Sequence, residues 1–398
     1  MRHGTVIIGA AQAGVQIAAS LRDKGYDEPI TLIGAESHPP YQRPPLSKTF
    51  LTGDPDPASL HLRGPQFYAN NRIELVTGTT VTTIDRASRQ AVTANGRRFA
   101  FDDLALTTGT TARPLAIPGA GPDIAQLRSL DDAWALRPRL AAAGHVAIIG
   151  GGFIGLEVAA VAAGLGKAVT VIEAQTRLLA RTVAPPVSAF LLAAHGRRGV
   201  DIRLGTTVER IEGPTLVLAD GGRIAADLIV AGIGALPRTD LAAGLGLDCA
   251  AGIPVDDRAQ TLLDGVLAAG DCTVHGAIRL ESVQNAIDQG KAAAATIMGR
   301  DEPNRAVPWF WSDQGKLKLQ VAGLSAGYDR CCMRGDPEAE AFSVLYYAGP
   351  RLIAVDSINR PADHLAARRL IAAGAAVPPE EAVRADVPLK TWIPASPP

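Results

Sequence analysis

The sequence predicts an α/β protein in which two parallel-sheet domains share one repeated unit and an α+β domain closes the chain. Three observations carry this. Thr5-Val-Ile-Ile-Gly-Ala-Ala-Gln-Ala-Gly14 is echoed by Val146-Ala-Ile-Ile-Gly-Gly-Gly-Phe-Ile-Gly155. Each copy is a β-branched apolar run, a glycine-rich turn and an Ala/Val-rich helical stretch, and each is followed by a second strand, 30–33 and 169–172. The length of 398 residues is too great for one ordinary domain. From about Pro308 the texture changes to alternating strand patterns at 316–321 and 341–347, then a helix from Ala362 to Ala373 and a Pro-rich tail.

Punctuation sets the boundaries. Leu104-Ala-Leu106 is a buried run closed by Thr107-Thr108-Gly109, and Arg113-Pro114 leads into the second repeat. That repeat ends in Leu228-Ile-Val-Ala-Gly-Ile-Gly234 and Pro237. Gly265-Val-Leu-Ala-Ala-Gly-Asp271 reads as one more buried strand, followed by a helix from Val283 to Met298. The first domain is therefore discontinuous (1–112 and 238–306), the second is inserted (113–237), and the third runs over 307–398.

Hydrophobic residues make up 47% and charged residues 20%, enough apolar side chain for large cores. A formal net charge of −1 gives no electrostatic case for nucleic acid or a membrane surface. The N-terminus runs straight into a strand without an apolar leader, and no stretch reaches the roughly 18 apolar residues of a spanning helix. The expected location is cytoplasmic. Cys249, Cys272, Cys331 and Cys332 show neither CxxC nor CxxxxC spacing, so no metal or iron–sulfur site is expected on this chain. The adjacent Cys331 and Cys332 are either a redox pair or plain thiols.

The turns carry the chemistry. Gly9, Ala11 and Gly14 form GxAxxG, with alanine where a second glycine usually lets the backbone approach a pyrophosphate. The helix beginning near Gln12 aims its amides at the phosphates, and Glu36, 22 residues beyond Gly14, suits a ribose. Gly150, Gly152 and Gly155 complete a GxGxxG, and Glu173 closes the next strand 18 residues later. A carboxylate there accepts from ribose hydroxyls and repels a 2′-phosphate, which favours NADH over NADPH. Glu157 suits a place near the nicotinamide, a complement to the helix dipole, or both, since the two roles are compatible. Asp271 either reaches a ribityl chain or caps the following helix.

Two such Rossmann-like folds, one per cofactor, form the glutathione-reductase-like flavoprotein pattern, and Thr108-Gly109 and Gly270-Asp271 match its remaining signatures. Tyr41-Gln-Arg43-Pro-Pro-Leu-Ser-Lys48, Arg279-Leu-Glu281-Ser-Val-Gln-Asn285, Pro308-Trp-Phe-Trp311-Ser-Asp-Gln314 and Asn359-Arg-Pro-Ala-Asp363 together resemble the oxygenase-coupled NADH-dependent ferredoxin reductases. The resemblance covers nearly the whole chain in order. It implies tightly but non-covalently bound FAD contacted by Ala13, Glu36, Arg43, Lys48, Val81, Arg128, Asp271 and Val283. It implies NAD contacts at Gly151, Phe153, Ile154, Glu173 and Gly234, with Lys48, Glu157, Glu281 and Trp311 around the two reacting rings.

General chemistry suits these roles. Lys48 would offset negative charge on a reduced flavin, and a Lys48–Glu157 ion pair would couple the two charges. Trp311 offers a flat face to a ring, or packs in a core. Arg43 and Arg128 suit phosphate, or are solvated. The implied acceptor is an acidic [2Fe–2S] ferredoxin feeding a haem-thiolate monooxygenase or Rieske-type dioxygenase. Arg305, Lys316 and Lys318 are either its docking patch or scattered solvated charge. Gly315-Lys316 stands where the family has a Tyr-Asp pair, a departure that bears on the acceptor. The alternatives are an NADH oxidase or rubredoxin reductase, and a redox sensor resembling the apoptosis-inducing-factor group. The absence of cysteine from residues 41–50 argues against cysteine-dependent peroxidase or oxidase chemistry.

Overall fold

The computed structural model describes residues 2–53 and 56–395. They cluster into two compact units, one of Met1–Gln42, Asp56–Thr111 and Ala235–Ala306, the other of Arg43–Pro55, Ala112–Gly234 and Val307–Pro398.

In the first unit the apolar runs build a five-stranded parallel sheet in the order Val266–Ala268, Asp103–Leu106, Thr5–Ile8, Ile30–Ile33, Ile73–Val76. Its central strands are continuous hydrophobic runs because both faces are covered. One face packs on the helices Gln12–Asp23 and Val283–Ile297 through Ile7, Leu32, Ile17, Ala293 and Ala294. Those helices meet closely at Gly290, where a Cβ would lie 3.0 Å from Gln16 Cβ. The other face, with Val6, Ile8 and Leu104, packs with Val81, Ala91 and Phe101. Val81 and Ala91 belong to a three-stranded antiparallel meander, Val81–Asp85, Gln90–Thr93, Arg98–Ala100.

The second unit repeats the plan with four parallel strands in the order Val200–Leu204, Ala168–Glu173, His145–Ile149, Leu228–Ala231. The helices Phe153–Gly164 and Leu130–Ala142 contribute Val158, Ala159, Leu136 and Leu140 to one face. The second begins with a full capping box between Ser129 and Asp132. Residues 307–395 add a five-stranded antiparallel sheet, ordered Trp309–Gln314, Leu317–Gly323, Arg351–Ile358, Ala341–Ala348, Arg330–Asp336. One face lies under the helix Pro361–Ala372, and the other packs on Leu178–Ala184 and the helix Pro185–Arg197.

Strand alternation settles the adjacent cysteines. Cys331 packs into the cluster with Leu319 and Tyr346, whereas Cys332 packs into the one with Leu345 and Tyr347. Successive side chains of a strand point to opposite faces, so the two thiols are not poised to pair. Burial pushes the Cys332 thiol up, which disfavours its reactive thiolate. Among the described residues no helix is long and apolar enough to cross a membrane.

Candidate functional site

Each glycine turn is held by contacts that only glycine permits. A Cβ on Gly9 (φ +120°) would lie 2.0 Å from Thr107 O, and one on Gly14 would lie 2.1 Å from Gly9 O. In the second unit, Gly150 (φ +108°) and Gly155 have the same constraint, at 2.4 Å from Gly232 O and 2.1 Å from Gly150 O. Gly152 differs. It caps the Phe153–Gly164 helix in extended conformation, and a Cβ there would meet nothing nearer than Gly232 O at 3.9 Å. The protein leaves that space beside the helix N-terminus open, a cradle suited to a phosphate.

Around the first turn, Thr107 Oγ1 donates to Gly9 O at 2.8 Å, tying the turn to the neighbouring strand. Ala11 is extended at the N-cap of the Gln12–Asp23 helix. Ala13 buries its methyl beneath Gly270, so it offers a cofactor only its backbone. Tyr41 donates its hydroxyl to the Glu36 carboxylate. Thr108 Oγ1 donates to Arg238 O at 2.6 Å, and Arg238 N donates to Gly109 O at 2.9 Å. Gly270 N donates to Gln289 Oε1 at 2.8 Å, which sets the loop that carries Asp271. The helix after that loop is capped by Ser282, which accepts from Asn285 N at 3.1 Å. Capping therefore does not account for Asp271. Val283 opens the same helix, Val81 is buried in the core, and the exposed Glu281 pairs with Arg279.

In the second unit Glu173 Oε2 accepts from Gly151 N at 2.6 Å and its Oε1 from Gln175 N at 2.8 Å. The acid thus braces the turn at the end of its strand. Arg177, four residues on, donates to Val183 O, Ala180 O and Ser188 Oγ. Ile154 is 43% exposed on the first turn of the helix, and Gly234 (φ +100°) has open space where a Cβ would be. Arg43 Nη1 donates to Arg128 O at 2.7 Å, which brings the two predicted phosphate-binding arginines together.

Glu157 lies on the same helix face as Phe153, one turn earlier, and Ser312 lies on the same strand face as Phe310. Four helical residues rise about 6 Å and two strand residues about 6.6 Å, so the two spacings match. Phe153 and Phe310 meet edge to face at 5.0 Å, and beside them Ser312 Oγ donates to Glu157 Oε1 at 2.7 Å. Lys48 Nζ reaches Glu157 Oε2 at 2.8 Å, and Ser47 Oγ donates to the same oxygen. The short Pro44–Ser47 helical turn aims Lys48, whose Nζ also donates to Pro44 O at 3.0 Å. Glu157 is 3% exposed, so its charge is met by three side-chain donors rather than by water or by the helix dipole.

Trp311 projects from the opposite strand face, 5.8 Å from the Trp309 ring. Trp309 in turn meets His364 at 5.5 Å, and burial pushes that imidazole down to about 4. Lys316 and Lys318 are exposed in the 315–318 hairpin, where Lys318 faces Asp313 in register. Arg305 is exposed in the other unit.

Residues 3–290 match the pyridine nucleotide-disulphide oxidoreductase model, and residues 309–393 match a reductase C-terminal model. Rhodocoxin reductase of Rhodococcus erythropolis is 42% identical, over 98% of this chain and 94% of that protein. The chain belongs to the ferredoxin reductases of the pyridine nucleotide-disulphide oxidoreductase family. Among solved structures it resembles the ferredoxin reductase for the CYP199A2 system of Rhodopseudomonas palustris, with TM-score 0.95 and 40% identity, covering 98% of this chain and 100% of that one. It also resembles a covalent putidaredoxin reductase–putidaredoxin complex, with TM-score 0.94 and 39% identity over 98% of each chain.

The family binds FAD and a nicotinamide dinucleotide, and two glycine-lined turns, each with an acid at or just beyond the end of the next strand, fit two dinucleotides. Sequence reasoning on this reductase anticipated the Lys48–Glu157 pair but missed the hydroxyl groups that share the carboxylate. Ser47 and Ser312, and Gln314 behind Ser312, stand inside the motifs that carry the resemblance, yet nothing local marks them as neighbours of that acid. His195, which meets Gln314, has no sequence signal at all.

Proposed function

We propose that this ferredoxin reductase oxidises NADH and delivers electrons singly to a small acidic [2Fe–2S] ferredoxin, in the cytoplasm, on behalf of a haem-thiolate or Rieske-type oxygenase. Residues 1–112 and 238–306 hold FAD tightly and without a covalent bond, 113–237 hold NADH, and 307–398 complete the fold. The observation that carries this reading is the pairing of Lys48 with the buried Glu157, on the helix that follows the open Gly152 cradle.

When bound, FAD supplies two-electron chemistry toward a nicotinamide and one-electron chemistry toward an iron–sulfur partner. The protein's own residues do the rest. The first-turn amides behind Gly152 bind the NADH pyrophosphate. Glu173 accepts from the adenosine ribose hydroxyls and disfavours a 2′-phosphate, while Arg177 is committed to backbone carbonyls and is not presented to one. Glu36, Arg43, Arg128, Asp271 and the backbone at Ala13, Val81, Thr108, Gly109 and Val283 orient FAD. Lys48 presents positive charge to the ring edge on which negative charge develops, and Glu157 sets where that ammonium points. Glu281 and Trp311 flank the rings. Lys316 and Lys318, a step from the strand that bears Trp311, favour an acidic partner.

The test is NADH-driven cytochrome c reduction by the purified flavoprotein, with and without a [2Fe–2S] ferredoxin from the same source. Strong dependence on ferredoxin, with NADH preferred to NADPH, is the expected result. Rapid flavin reduction without any dependence on ferredoxin would overturn the partner and bring the oxidase and sensor alternatives forward. Alanine at Lys316 and Lys318 should flatten the salt dependence of ferredoxin reduction.

A further inference from the structure

We propose that His195 is a positioning residue for Glu157, acting through Gln314 and Ser312. The inference rests on the reading of the Lys48–Glu157 pair given above.

His195 projects from the Pro185–Arg197 helix and is 0% exposed. Its Nε2 lies 2.8 Å from Gln314 Oε1, Gln314 Nε2 lies 3.3 Å from Ser312 Oγ, and Ser312 Oγ lies 2.7 Å from Glu157 Oε1. Gln314 and Ser312 are each 1% exposed. Four side chains thus form an uninterrupted buried string that ends on the carboxylate held by Lys48.

The direction of that string follows from its acid end. A carboxylate only accepts, so the single hydroxyl proton of Ser312 points at Glu157. Ser312 then has only lone pairs to offer Gln314, so Gln314 turns its amide NH₂ toward Ser312 and its carbonyl toward His195. That carbonyl needs a donor, which requires the Nε2–H tautomer of His195. The other end agrees. His195 Nδ1 is buried without a hydrogen-bond partner, tolerable as a bare lone pair and costly as an N–H. Burial also holds the imidazole below its ordinary range, which keeps it neutral.

Every bond therefore donates toward Glu157, and aligned donors polarise one another. If the imidazole donor is lost, Gln314 is free to flip, Ser312 gains a competing acceptor, and its proton no longer belongs to Glu157. The carboxylate would then lean only on Lys48 and Ser47, both at its other oxygen, drawing the ammonium away from the ring edge that it serves.

The tautomer is read first, in the unaltered holoprotein, by ¹⁵N-histidine labelling, with the His195 resonance assigned by its loss in His195→Gln. The expected form is Nε2–H throughout neutral pH, and an Nδ1–H form would overturn the proposal. Next, the midpoint potential of the bound flavin and its rate of reduction by NADH are compared in His195→Leu, His195→Gln and Lys48→Met. His195→Leu should shift the potential to more negative values and slow reduction about three- to tenfold, the effect of one neutral hydrogen bond, with NADH affinity unchanged. His195→Gln keeps a donor at the same reach and should restore most of both. If Lys48→Met moves the potential and a folded, flavin-loaded His195→Leu does not, this inference alone fails. If neither moves it, the reading of the ion pair fails as well. Should His195→Leu not fold, the tautomer decides.

Discussion

Lys48 Nζ and Glu157 Oε2 lie 2.8 Å apart although 109 residues separate them, and their side chains are only 17% and 4% exposed. Removing Lys48 leaves the Glu157 charge buried against two hydroxyl groups. Lys48→Met should cost about 2–3 kcal/mol in urea unfolding of the holoprotein, less than a fully buried pair because Ser47 and Ser312 remain. The double change Lys48→Met/Glu157→Gln should recover part of that loss. A double variant as unstable as the sum of the single changes would show that the two residues are not energetically coupled.

Gly152 and Gly155 stand three residues apart in one turn, and alanine should separate their roles. At Gly155 the new methyl meets the Gly150 carbonyl, so a drop in melting temperature of several degrees is expected. At Gly152 nothing in the protein opposes the methyl, so Gly152→Ala should melt normally and bind NADH about tenfold more weakly. Equal NADH affinity in Gly152→Ala and the unaltered protein would remove the phosphate cradle.

Glu173 both braces the Gly151 amide and, on the proposed reading, selects the dinucleotide. Glu173→Gln keeps an acceptor and removes the charge. The ratio of kcat/KM for NADH over NADPH should fall roughly tenfold, the scale of a charge-assisted hydrogen bond. An unchanged ratio would place the selection elsewhere.

Asp356 is 1% exposed and accepts the Tyr346 hydroxyl, while its other oxygen has no partner. Burial raises its carboxyl from its ordinary 3.8 to about 7. The folded state therefore binds one more proton than the unfolded chain between those two values. The stability that this proton confers is complete below the unfolded pKa and is lost progressively as pH rises to about 7. Asp356→Asn, which mimics the protonated acid, should flatten urea-unfolding stability over that window and be the more stable form above it. Parallel pH profiles for the two proteins would refute the assignment.

Arg334 is buried without exposed side chain, and it joins Asp363 to the carbonyls of Ala382 and Val387. Asp363 also accepts from Arg360 and Ser343. Asp363→Asn strands a buried guanidinium and should cost about 3–5 kcal/mol. Limited proteolysis should then cut first near 382–390, where those carbonyls were held. Resistance equal to that of the unaltered protein would limit the network to a local role.

What the sequence determined by itself was local. Gly9, Gly14, Gly150 and Gly155 mark turns that no side chain fits, and the β-branched runs before them mark buried parallel strands. Glu36 and Glu173 follow at the spacing that a strand and helix impose. The alternation in 316–321 and 341–347 foretold the C-terminal strands, although not their order. The short strands of the 81–100 meander, and of a second one formed by Val208–Glu212, Thr215–Leu218 and Arg223–Ala225, were not legible, because their half-exposed residues leave a weak period. The setting of the candidate site was decided only in three dimensions. Glu157 was visible as an acid near a turn, but its meeting with Ser47, Ser312 and, through Gln314, His195 depends on a helix, a 3₁₀ turn, a strand and a second helix converging. Hydrogen bonds act over about 3 Å of space and are indifferent to separation along the chain, so such a string leaves no period or motif behind.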